Sequence, residues 1–102
     1  MMLGLLWYDR EGCPISVQDA NRKLGDREYK RVDATTLPDG KWVSTVWLGL
    51  NHRWGPGPPL IFETMVFESE ENLEEVDMER YATENEAILG HQRMVAKYAG
   101  VK

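Results

Sequence analysis

Val32-Asp33-Ala34-Thr35-Thr36-Leu37-Pro38-Asp39-Gly40-Lys41-Trp42-Val43-Ser44-Thr45-Val46-Trp47-Leu48-Gly49-Leu50 is the stretch that decides the fold. Its middle, Leu37-Pro38-Asp39-Gly40, is a turn signal, because Pro38 presets φ and Gly40 tolerates a positive one. Before the turn, Val32, Ala34 and Thr36 alternate with Arg31, Asp33 and Thr35, which predicts a half-exposed strand within Tyr29–Thr36. After it, Trp42, Ser44, Val46, Leu48 and Leu50 share one face of a strand over 42–50. Val43, Thr45, Trp47 and Gly49 share the other. Both faces are largely apolar, so this strand belongs in the middle of a sheet.

Outward from the hairpin, Leu60–Phe67 reads as the next strand and Leu3–Tyr8 as a short first one. Asp9 to Pro14 is a turn. Ser16 with Asp19 three residues on predicts an N-cap and a short helix to Leu24, ended by Gly25. Near the C-terminus, Thr83 and Glu86 have the spacing of a capping box. Glu84 and Glu86 near the start of the following helix, with Arg93 and Lys97 near its end, suit the macrodipole. Ile88, His91, Val95 and Tyr98 form an apolar seam at helical spacing, extended by Ala87 and Met94. The expected fold is α+β: a small antiparallel meander covered by a C-terminal helix, with a short N-terminal helix.

The 102 residues fit one domain, 1–102. With 42% hydrophobic and 28% charged residues, the composition excludes collagen-like and wholly disordered chains. The apolar run Met1–Tyr8 is too short to span a bilayer and is a poor signal peptide. One cysteine, Cys13, excludes an internal disulfide and points to a cytoplasmic protein. Residues 1–60 carry a net charge of +1 and residues 61–102 a net −6. The acid concentrates in Glu68, Glu70, Glu71, Glu74, Glu75, Asp77 and Glu79, with no base among them. That block disfavours direct contact with nucleic acid. It reads as a solvated loop or, alternatively, as a surface that imitates nucleic acid to a basic partner.

Val43-Ser44-Thr45-Val46-Trp47-Leu48-Gly49-Leu50-Asn51-His52, followed by Gly55-Pro56-Gly57-Pro58-Pro59-Leu60-Ile61-Phe62-Glu63-Thr64-Met65-Val66-Phe67, resembles a family of small proteins of phages, prophages and actinobacterial genomes. The likeness extends to Tyr8–Gly12, Arg80–Ala87 and Gly90-His91. Relatives often have Asp where this chain has Asn51. The resemblance implies a phage or mobile-element context and supplies no catalytic or binding residues to carry over.

The residues themselves single out the loop Asn51–Pro59. Asn51 offers an amide, His52 a group that donates, accepts or charges, and Arg53 a planar fork for phosphate or carboxylate. Trp54 offers a stacking face. The glycines allow close approach, and the prolines lower the cost of ordering. Together they suit a small, anionic, aromatic ligand such as a nucleotide. The competing reading is a stiff connection with Trp54 packed on the sheet. Glu63, in an apolar strand, needs a partner, for which Arg31, Arg53 or His91 stand as candidates, or else it contacts ligand. His91 reads as a satisfied core histidine. Gly90 suggests close approach by another backbone, including that of a second subunit.

Cys13, His52 and His91 lack metal-ligand spacing, so neither metal nor cofactor is expected. No GxSxG, P-loop, dinucleotide fingerprint or HExxH is present, so a non-enzymatic protein is expected. The leading expectation is a phage-type, homo-oligomeric binding protein that sequesters a nucleotide-like host immune signal through Asn51, His52, Arg53, Trp54 and Glu63. The alternative is an inhibitor of a host defence protein that uses the acidic surface.

Overall fold

The computed structural model describes residues 6–100. In chain order it contains β1 (Trp7–Tyr8), β2 (Pro14–Ile15), α1 (Val17–Leu24), α2 (Arg27–Lys30) and β3 (Arg31–Thr36). After these come β4 (Trp42–Trp47), β5 (Phe62–Phe67), β6 (Glu75–Tyr81) and α3 (Glu84–Tyr98). Strands β3-β4-β5-β6 form one antiparallel sheet in sequence order, and β1-β2 form a separate small hairpin. This is the expected α+β meander with a C-terminal helix and a short N-terminal one. Among the described residues, no helix is long and apolar enough to cross a membrane.

Local chemistry explains the element ends. The Leu37–Gly40 turn closes with the Gly40 N–H donating to Leu37 O at 2.9 Å, and Gly40 adopts φ +97°. Ser16 caps α1, its Oγ accepting from Asp19 N at 3.0 Å. Tyr29 and Lys30, expected in the first arm of the hairpin, instead belong to α2. Asp26 is the reason: its Oδ1 accepts from Glu28 N at 3.1 Å and Tyr29 N at 3.2 Å, which holds one helical turn. Leu3, Gly4 and Leu5 of the expected first strand lie outside the described residues. The strand expected to reach Leu50 leaves β5 after Trp47. Leu48 still donates to Ile61 O at 2.7 Å, but Gly49 O accepts from Tyr8 N, and Leu50 pairs with Trp7. The chain thus turns from the main sheet to the small hairpin just before the 51–59 loop.

Helix α3 covers one face of the sheet. Beneath it lie Val43, Thr45 and Trp47 of β4 and Phe62, Thr64 and Val66 of β5, all buried. The capping box forms: Thr83 Oγ1 accepts from Glu86 N, and Glu86 Oε1 accepts from Thr83 N, both at 3.1 Å. The buried stripe of α3 is Ala87, Gly90, His91 and Met94, with Val95 and Tyr98 half-buried. Ile88, expected in the seam, is 37% exposed. At 100° per residue it falls beside the stripe that Gly90 defines. Gly90 admits a side chain, not a backbone: a Cβ there would lie 2.2 Å from Cζ and Oη of Tyr81. The ring of Tyr81 therefore lies directly under the helix.

The acidic run is not one loop. Its second half is the edge strand β6, paired with β5 as Glu63↔Arg80, Thr64↔Glu79 and Val66↔Asp77. Alternation turns Asp77, Glu79 and Tyr81 toward α3. Lys97 Nζ (2.9 Å) and Tyr98 Oη (2.7 Å) both donate to Asp77 Oδ2, and Arg93 Nη2 donates to Glu79 Oε1 at 2.9 Å. Lys97 and Tyr98 hold the Asp77 carboxyl down at about 2. Glu68, Glu70, Glu71 and Glu74 remain exposed in the connection before β6, and Glu75 is exposed at the first position of that strand.

Candidate functional site

The 51–59 loop is tied at its base. Asn51 Oδ1 accepts from Arg53 N at 2.8 Å and Leu60 N at 2.9 Å, and His52 N donates to Leu60 O at 3.0 Å. Asn51, expected to meet ligand through its polar edge, thus gives its carbonyl oxygen to the loop itself. His52 Nδ1 lies 2.8 Å from Leu50 O. A carbonyl only accepts, so Nδ1 carries the proton and Nε2 is left available. Arg53 Nε donates to Pro58 O across the loop. Its guanidinium lies on Gly57, where a Cβ would approach Cδ, Cζ and Nε to 3.0 Å. Gly57 also adopts φ +129°, so the position suits glycine on two counts. The terminal nitrogens of Arg53 have no hydrogen-bond partner among the described residues.

Trp54 is 97% exposed. It does not pack on the sheet, which removes the structural reading of this side chain. A depression of about 490 Å³ is lined by Asn51, His52, Arg53, Trp54 and Arg80.

Arg80 is the residue that sequence reasoning missed. It reaches the loop from β6 because the β5–β6 register sets it opposite Glu63. Arg80 Nε donates to Glu63 Oε2 at 3.0 Å. Arg31, Arg53 and His91, the partners considered from sequence, do not pair with Glu63. Glu63 is 9% exposed and fixes the direction of Arg80, so it acts through that arginine. Nη1 and Nη2 of Arg80, like those of Arg53, have no partner among the described residues. Period-two alternation of Asp77, Glu79 and Tyr81 with Met78 and Arg80 was the available signal, hidden by the density of carboxylates.

The other singled-out residues lie elsewhere. His91 is buried on the inner face of α3, with Nδ1 2.7 Å from Thr45 Oγ1 and Nε2 2.8 Å from Thr35 Oγ1. Thr45 and Thr64 hydroxyls continue the chain at 2.5 Å. Burial pushes the His91 imidazole below its ordinary pKa, and Asp33, 3.6 Å away, opposes this. Tyr81 Oη is buried without a hydrogen-bond partner among the described residues, and burial pushes it up to about 12. Cys13 is exposed in the 9–14 turn. Among the described residues, no three His, Cys, Asp or Glu side chains gather where a metal ion could be held.

Comparison of the chain with protein-family models, with curated proteins and with solved structures finds no match.

Proposed function

We propose that the chain is a non-enzymatic binding protein that captures a small nucleotide-like anion at the 51–54 loop. One observation carries this: the fully exposed indole of Trp54 shares a depression with two guanidinium groups, Arg53 and Arg80, whose terminal nitrogens have no hydrogen-bond partner among the described residues. An indole in water forgoes about 1.5–3 kcal/mol of burial, and it recovers much of that under a stacked base. Two planar forks suit the oxygens of one phosphate. His52 Nε2 adds a polar contact. The open shape of the depression favours closure by a second copy, which makes a homo-oligomer part of the proposal. In the phage setting that the sequence resemblance implies, such capture would withdraw a nucleotide immune signal of the host.

The second reading is an inhibitor of a host defence protein with a nucleic-acid-like acidic surface. It retains only the five exposed carboxylates of residues 68–75, since Asp77 and Glu79 already pair with α3.

Mass spectrometry of small molecules released from the purified protein tests the proposal. The wild type is expected to release a phosphorylated aromatic compound that the Trp54→Ala/Arg53→Ala variant lacks. Equal amounts from both proteins would remove the 51–54 loop as the site.

A further inference from the structure

Arg53 and Arg80 belong to two recesses at once. On one side lies the Trp54 depression. On the other lies a groove of about 380 Å³ between the loop and α3. The two arginines form a cationic divide between them. Each recess has the volume of a modest small-molecule site.

The two sides differ in chemistry. The loop side has an indole and an imidazole. The α3 side has an apolar bed of Pro58, Leu60 and Leu89, with the carboxylates of Glu79 and Glu86 and the guanidinium of Arg93 beside it. Leu89 is 56% exposed, although the buried stripe of α3 lies elsewhere, so core packing does not account for it. Glu79 engages Arg93 through Oε1. Glu86 uses Oε1 for the capping box. The second oxygen of each has no hydrogen-bond partner among the described residues. Arg93 and Glu79 neutralise each other, which leaves Glu86, without a cation among the described residues, to repel a phosphate, while the open oxygens of both carboxylates accept from hydroxyl or amino groups. A nucleotide lying with its phosphate on the divide would therefore extend toward α3 through a sugar or base, not through further phosphates.

Resting on the nucleotide reading of the Trp54 side, we infer that the α3 groove holds a second nucleoside, so that the site takes a phosphodiester-linked dinucleotide. Its phosphate lies on Arg53 and Arg80. One base stacks on Trp54. The other lies on Pro58, Leu60 and Leu89, and the sugar hydroxyls beside it donate to Glu79 and Glu86. The single charge of a diester suits a divide whose Arg80 already shares Nε with Glu63.

Calorimetric titration with two probes tests this. One is adenylyl-(3′→5′)-adenosine. The other is adenosine 5′-methylphosphate, which has the same diester charge and no second nucleoside. The wild type is expected to bind the dinucleotide at least about tenfold more tightly. Leu89→Gln should reduce the dinucleotide to the affinity of the methyl ester and leave the ester unchanged, which also verifies that the variant is folded. Trp54→Ala should weaken both probes. Equal binding of the two probes by the wild type, or a Leu89→Gln variant that keeps the full preference, would overturn the second nucleoside and leave the Trp54 reading standing. If neither probe binds the wild type, the nucleotide reading itself fails, and this inference fails with it.

Discussion

Trp47 and Trp54 are seven residues apart in the chain and meet opposite conditions. Trp47 is 1% exposed, packs edge-on to Tyr29 at 5.1 Å, and donates its indole N–H to Tyr8 O at 2.9 Å. Trp54 stands in solvent. The two histidines divide in the same way. His91 has a threonine hydroxyl on each ring nitrogen, whereas His52 has one nitrogen on a backbone carbonyl and the other available. Under α3, folding leaves polar groups matched to fixed partners, Tyr81 Oη being an exception. At the loop, the backbone is tied at its base through Asn51, His52, Arg53 and Leu60, while the side chains keep unused capacity. Unused capacity held on a tied backbone is the condition for binding at low ordering cost.

The contrast can be broken most directly by stability measurements. Trp47→Ala should destabilise the fold by about 3–5 kcal/mol, because it opens a large cavity against Tyr29 and the sheet. Trp54→Ala should stay within about 0.5 kcal/mol of the wild type. Urea unfolding of both variants checks this, and similar losses would show that the loop indole is structural.

Gly90→Ala comes next, with an expected loss of about 1–3 kcal/mol from overpacking, since the new methyl would collide with the ring of Tyr81. Thermal unfolding of that variant near the wild-type midpoint would mean that α3 does not seat on Tyr81 as described.

The two arginines of the divide sharpen the comparison further. Arg53→Ala should weaken nucleotide binding by roughly tenfold, less so at high salt, and leave stability unchanged. Arg80→Ala should weaken binding and also cost about 1–3 kcal/mol of stability, because Glu63 is left nearly buried without its partner. Paired titration and unfolding of each variant separates the roles, and identical behaviour would erase the distinction between a loop group and a group held by the sheet.

The smallest expected effect is one of pH. Burial lowers the pKa of His91 below its ordinary 6.5, against the pull of Asp33; Thr35 and Thr45 are its other polar neighbours. The unfolded chain therefore takes up the proton first as pH falls. The stability this provides is complete above about 6.5 and declines as pH drops toward the folded-state value. Asp77, lowered from 3.8 to about 2, contributes above 3.8 and is lost only between those values, so it does not interfere in the same window. His91→Gln should flatten the fall in urea midpoint between about pH 7 and about pH 5. An unchanged slope would assign the pH dependence to another group.

Much of the fold was legible because it depends on neighbours in the chain. The Thr83–Glu86 box, the Ser16 cap and the Leu37–Gly40 turn are contacts within four residues, and their residue types state them directly. The central place of β4 followed from apolar side chains on both of its faces. Asp26 was equally local, but the alternation after Tyr29 masked its single helical turn. Asn51, His52, Arg53 and Trp54 were legible as a cluster because they are consecutive.

The sequence by itself determined the caps, the turns, the strand-forming alternation and the polar character of the 51–54 loop. Only the tertiary structure decided that the acid-rich stretch ends in a strand, because Asp77 and Glu79 are accommodated there by Lys97, Tyr98 and Arg93 from α3. That strand then sets Arg80 against Glu63, lines one recess with Arg80 and Arg53 together, and slides Tyr81 under Gly90. The physical reason is one of range. A cap or a turn is settled by side chains a few bonds from the backbone they satisfy, whereas charge pairing across a sheet depends on register, and register exists only once distant strands have met.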